Sequence, residues 1–303
     1  MFRLVQKVSY DVIAQQLDDI ESWFKNLGIE LAGSRLEAYK RNIKMLIKYH
    51  KEGKIREFAK LTDFKQIVFS LSESFELSSI YQAFKDIDPK QLRKWLAVVA
   101  KGPLMIDQED PVRSTGQPRD FLFELNMMAL LKARGIPVIL NSVADVHGVF
   151  ESKDILLQCK RPQTRRSVEG NFLKASKQLT ISLDQLGKQN SKGIISVSIG
   201  KILNKGHMFL VGDNEADLAT KADISMKRFW DQFKHLGKRV LDIRIIGVLC
   251  HLNGPAVVED IKLLTDLQLL HAHPLCLPHT ADFLLFQRMI HQLDHRYLPV
   301  VSS

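Results

Sequence analysis

Between Phe121 and Pro162 the hydrophobic pattern changes period so sharply that little freedom is left in how the segment can fold. A helical run, RDFLFELNMMALLKARG, is followed by the apolar strand-like run IPVILN, then VADVHGVF, a short polar break, and DILLQCKRP. Four polar residues stand in these apolar settings. Glu124 has Phe121 three residues before it and Met128 four after, so at helical spacing it shares a stripe with apolar side chains. A glutamate there needs a partner, because an unpaired buried carboxylate costs several kcal/mol or gives up its charge. In the last run side chains alternate, so Ile155, Leu157 and Cys159 point one way and Leu156, Gln158 and Lys160 the other. A two-residue hairpin turn at Glu151 and Ser152 places Asp145, in the second strand, across from Gln158 on one face. A slip of one residue would turn Asp145 away, so the grouping depends on this register. Cys159, on the opposite face, reads as core packing.

A carboxylate, an amide oxygen and an ammonium gathered beside a helical carboxylate are the parts of a magnesium-dependent phosphodiesterase. Hard oxygen ligands hold the ion, the ion polarises a phosphoryl oxygen and lowers the pKa of a bound water, and a lysine steadies that water or the developing charge. In this order of residues the chain resembles the PD-(D/E)xK nuclease superfamily, whose restriction-endonuclease-like core runs helix, three strands, helix, strand. The family pattern falls on Glu124, on Asp145 and on the tripeptide Gln158, Cys159, Lys160, within residues 119–200. Ala144 stands where the motif name has Pro, and Gln158 where it has an acid; branches with QxK include nucleases. The resemblance implies an α/β fold with an αβββαβ core and a mixed central sheet. It also implies Mg²⁺ or Mn²⁺ held by Asp145, Gln158 and Glu124, with Lys160 serving the attacking water or the developing charge. The implied activity is endonucleolytic cleavage of nucleic acid, DNA foremost, in a setting of restriction or anti-phage defence. The alternative is a nuclease-fold protein that has lost its metal through Gln158 and binds nucleic acid or a partner protein.

The net charge of +9 favours polyanionic partners. Arg161, Arg165 and Arg166 follow directly on Lys160, and Lys174 and Lys177 lie in the next helix, so positive charge falls where a nucleic-acid backbone would pass. That helix, SVEGNFLKASKQLTISL, turns Phe172, Ala175, Leu179 and Leu183 to the sheet; Asn171 and Gln178 are its polar candidates, as site neighbours or as surface amides. GIISVSIGKIL reads as a strand buried on both sides. The helix ADLATKADISMKRFWDQFKHLG and the strand RIIGVLCHL extend the α/β layer, so residues 119–303 make the nuclease-like domain.

Residues 1–100 read as a helical accessory domain, for scaffolding, partner binding or DNA positioning. Val12, Leu17, Ile20, Phe24 and Leu27 recur at helical spacing up to Gly28, Ser34 with Glu37 makes a capping box, and Asp88 before Pro89 is a helix start. Residues 101–118 read as a linker in which Asp107, Glu109 and Asp110 are a solvated acidic loop. The histidines of HAHPLCLPH (His271, His273, His279), with His291, His295 and Cys276, match no common zinc spacing and read as loop and helix-surface residues. Cys159, Cys250 and Cys276 lie among apolar neighbours and read as buried thiols of a reducing compartment. No run has the ~18 to 20 apolar residues of a membrane span, so no membrane is expected and the protein should be cytoplasmic. Cutting both strands of a duplex needs two sites or two visits, which suits a homodimer.

Overall fold

The computed structural model describes residues 2–5, 9–58, 60–110, 116–188, 190–204, 210–260 and 263–294. It opens with a strand, β1 (Phe2–Val5), which the helical reading of residues 1–100 did not contain, and continues through α1 (Tyr10–Asn26), α2 (Arg35–Lys51), α3 (Ile55–Phe58), α4 (Phe64–Phe84) and α5 (Arg93–Val99). The buried stripe of α1 holds Leu17, Ile20 and Phe24 and runs on to Leu27 as expected, but begins at Ile13, while Val12 is 39% exposed. Gly28 ends that turn at φ 64°, a conformation glycine adopts without strain. At the start of α2 the Ser34 hydroxyl accepts from Glu37 N at 3.3 Å, but the Glu37 carboxylate reaches back to Gly33 N at 2.8 Å. The capping box is therefore displaced by one residue on its return side.

α6 (Gln117–Ala133) begins with Pro118 in its first turn and buries Leu122, Phe123, Leu125, Met127, Met128 and Leu131. The expected strand IPVILN is extended but pairs only through one bridge, Val138 to Gly148, flanked by hydrogen bonds Ile139 N to His147 O and Val149 N to Pro137 O. Pro137 has no N–H to donate, and Asn141 at φ 56° turns the chain away. Then come β2 (Val146–Phe150), β3 (Lys153–Lys160), α7 (Ser167–Leu186), β4 (Lys192–Ser198), α8 (Gly200–Asn204), β5 (Leu210–Gly212), α9 (Glu215–Phe233), β6 (Ile245–Val258), β7 (Leu263–Pro274) and α10 (Ala281–Asp294).

The protein is mixed α/β. Its sheet runs in the order β1-β7-β6-β4-β3-β2, with β5 beside β6. β3, β4 and β6 are parallel neighbours, and β2, β7 and β1 pair antiparallel at the flanks. The β2–β3 turn has Glu151 and Ser152 at φ 48° and 59°, the left-handed pair of a two-residue hairpin. It sets Val146 against Leu157, which is the expected register.

Helices cover both faces of the sheet. Ile155, Leu157 and Cys159 enter one hydrophobic layer with α1, α2, α4, α6 and α10, whereas Leu156 enters the other with Phe172, Ala175, Leu179 and Leu183 of α7 and Leu218 and Met226 of α9. The helices before residue 100 thus share one apolar layer with α6 and the sheet. Polar contacts cross the same junction. Glu73 of α4 receives Arg35 Nη1 at 2.8 Å and Arg119 Nε of α6 at 2.6 Å, together with the Tyr39 hydroxyl.

Two expectations about loops are corrected. Glu109 is not solvated: its side chain is 1% exposed and meets Lys201 Nζ at 2.9 Å, Arg161 Nη2 at 3.3 Å and Arg119 Nη1 at 3.4 Å. His271 and His273 lie on β7, facing α9, instead of in a loop. His271 Nε2 is 2.8 Å from Asp223 Oδ1, and His273 stacks on Trp230 with ring centres 4.0 Å apart. His295 lies outside the described residues.

Candidate active site

Asp145 stands one residue before β2, not within it, and its side chain continues the ladder that the β2 backbone leaves off. The hairpin register ends at Val146 opposite Leu157, and Asp145 Oδ2 then accepts from Cys159 N at 2.8 Å. Gln158 Nε2 donates to the same oxygen, which leaves Oε1 as the acceptor end of that amide. Lys160 Nζ lies 3.6 Å from Asp145 Oδ2 and donates to Cys159 O at 2.8 Å. β3 therefore supplies two of the expected residues from one face, and the hairpin supplies the third.

Glu124 joins them from α6. Burial pushes its carboxyl up to about 8, and the charge of Asp145 adds to this against the opposing pull of Lys160. No hydrogen bond to Glu124 is found among the described residues. The structure thus brings together Asp145, Gln158 and Lys160, with Glu124 of α6 within electrostatic reach of Asp145 and Lys160. Cys159, on the other face of β3, is buried as expected; burial and then the charges of Asp145 and Glu124 raise its thiol well above the usual range, so it stays protonated.

Glu124, half-buried, without a hydrogen-bond partner among the described residues and kept protonated by burial and by the charge of Asp145, suits a divalent cation, which would displace that proton. The oxygens of the two carboxylates with Gln158 Oε1 are the hard donors Mg²⁺ or Mn²⁺ takes. Among the described residues no three His, Cys, Asp or Glu side chains gather closely enough to hold a metal, so the third ligand would have to be the glutamine.

The basic residues divide. Arg165, Arg166, Lys174 and Lys177 are exposed. Arg161 is turned inward, its side chain 8% exposed, with Nη1 3.0 Å from Asp120 Oδ1. The sequence reading passed over Asp120, although its place four residues before Glu124 sets both on one face of α6. Gln178 is half-buried with an Oε1 that has no hydrogen-bond partner among the described residues, which is not the environment of a surface amide.

Glu76, also passed over, is half-buried on α4 beneath the sheet, where Asn253 Nδ2 reaches it at 2.5 Å. Burial, then the charge of Glu73, raises its carboxyl to about 7, with Arg161 and Arg119 opposing. A raised folded-state value means stabilisation that is complete below the ordinary value and lost as pH rises through the folded one. The stability of the wild type relative to Glu76→Gln should therefore fall by roughly 3 kcal/mol between pH 4.5 and about 7. Urea unfolding of both proteins at several pH values measures this; a difference independent of pH refutes it. Among the described residues no helix is long and apolar enough to cross a membrane. Comparison of the chain with protein-family models, with curated proteins and with solved structures finds no match.

Proposed function

We propose that this chain is a Mg²⁺- or Mn²⁺-dependent nuclease of the PD-(D/E)xK kind, acting on DNA. The observation that carries the reading is the hairpin register, which gathers Asp145, Gln158 and Lys160 at the end of β3, within electrostatic reach of Glu124. Element order supports it as well: α6, the extended segment with its single bridge, β2, β3, α7 and β4 follow the succession of a restriction-endonuclease-like core, with β2–β3 antiparallel and β3–β4 parallel.

Asp145, Glu124 and the Gln158 oxygen would hold the ion, which when bound supplies a Lewis acid and an acidified water. Lys160, whose head group is no ligand, orients the water or offsets charge on the phosphoryl group. Arg165, Arg166, Lys174 and Lys177 give the polyanion an exposed cationic path, while Arg161 holds Asp120 and Glu109 inside. Incubating the protein with plasmid and single-stranded DNA in Mg²⁺, Mn²⁺ or EDTA tests the reading: cleavage with either metal and none in EDTA supports it, and intact DNA throughout refutes it.

One observation favours the rival, a non-catalytic nucleic-acid binder. Gln158 Nε2 and Cys159 N already satisfy Asp145 Oδ2, a stable arrangement without metal. The binder should show no heat on titration with Mn²⁺. Either reading needs the cationic path, so Arg165→Ala with Arg166→Ala should weaken nucleic-acid binding for all sequences and reduce the slope of log affinity against log salt by about 2. An unchanged slope puts these arginines off the path.

A further inference from the structure

We infer that Ser142, His147 and Asp154 form a brace that fixes the loop carrying Asp145, which makes them positioning residues for the site proposed above; the metal part of this inference rests on that reading. His147 lies on β2, two residues after Asp145, and is 3% exposed. Its Nε2 is 2.8 Å from Asp154 Oδ1 on β3, and its Nδ1 is 2.8 Å from Ser142 Oγ. Asp154 is also held by Lys188 Nζ at 3.0 Å. An ionised carboxylate only accepts, so Nε2 donates to Asp154, and the Ser142 hydroxyl partners the ring's other nitrogen, Nδ1.

The loop between Asn141 and Asp145 is tied twice. Asn141, at φ 56°, folds the chain back over β2, which is how Ser142 reaches a ring five residues ahead. Next along, the Val143 carbonyl accepts from Ser182 Oγ of α7 at 2.8 Å. Two residues on, Asp145 delivers Oδ2 to Cys159 N at 2.8 Å. β2, β3 and α7 thus all set where this carboxylate stands, through groups that touch neither metal nor substrate. A ligand held in place before the ion arrives does not have to be ordered at that moment, so a loosened brace should show as weaker metal binding and not as slower chemistry at saturating metal.

The test uses the full chain with Ser142→Ala, which removes one tie from a loop side chain, and Ser142→Thr, which keeps the hydroxyl. Ser142→Ala should exchange the Cys159 amide hydrogen about fivefold faster and raise the Mn²⁺ concentration for half-saturation, by calorimetry and by cleavage, about fivefold. Maximal rate at saturating Mn²⁺ should stay within about twofold, and Ser142→Thr should behave as wild type. An unchanged amide and metal midpoint in Ser142→Ala overturns the inference, as does a fall in maximal rate alone. Labelling of wild-type Ser142 by a fluorophosphonate also overturns it, because the three groups would then be activating a nucleophile. If wild type takes up no Mn²⁺ while Ser142→Ala still frees the Cys159 amide, the metal reading fails and the brace stands.

Discussion

Lys160→Met should lower metal-dependent cleavage by about 10²- to 10³-fold, the usual effect of removing one preorganised stabiliser of developing charge. The side chain is 14% exposed, and its ammonium is 3.6 Å from Asp145 Oδ2, close enough to share the site but without a lone pair to give a metal. Methionine keeps much of the length and apolar stem, so Mn²⁺ titration and urea unfolding should change little. Asp145→Asn makes the contrast: it still accepts from Cys159 N but loses the anionic ligand, so metal affinity and cleavage should fall together. Single-turnover rates at saturating Mn²⁺ decide the matter. A Lys160→Met rate within tenfold of wild type would remove the lysine from the chemistry.

Glu73→Leu should cost about 3 to 5 kcal/mol of folding stability, a large fraction of what a domain usually has. Burial alone would raise the carboxyl of Glu73, but Arg119 and Arg35 beside it, and the Tyr39 hydroxyl, hold it below its ordinary range. It is therefore ionised and central to the cluster. Leucine leaves both guanidiniums buried without it, Arg35 keeping Val99 O and Arg119 keeping Leu104 O and the longer contact to Glu109. Because the folded-state value is lowered, this stabilisation is present above the ordinary carboxylate range and is lost as pH falls through the folded value. Urea unfolding near neutral pH reads the loss directly, and a change below about 1 kcal/mol would show that the arginines find other partners.

The parts legible in the sequence were those in which a local rule decides alone. Alternation in DILLQCKRP separates Leu156 from Ile155 and Leu157, and the two hydrophobic layers take them separately. A two-residue turn fixes a register, so Asp145 could be matched to Gln158 without tertiary information. An acidic residue such as Glu109 in a Pro- and Gly-rich stretch looks solvated, but Arg119 reaches it from the helix that follows, and Arg161 and Lys201 from distant places in the chain. Glu76 and Glu73 sit in a helix whose other residues are largely apolar or small. Nothing in their spacing names the arginine or asparagine they meet from other elements.

The pairing of β1 with β7 bears on how this chain is made. Phe2 finds its strand partner at Leu270, and Tyr10 donates to Leu264 O at 2.9 Å, so β1 waits for a segment synthesised long after it. At about 5 to 20 residues per second, ribosomal elongation separates the two by roughly 13 to 50 seconds. During that interval α1 and α2 can associate locally, but the free edge against which β1 closes does not yet exist. The nascent chain therefore presents the β1 segment unpaired to other chains and to chaperones until β7 emerges, and slower elongation lengthens that exposure.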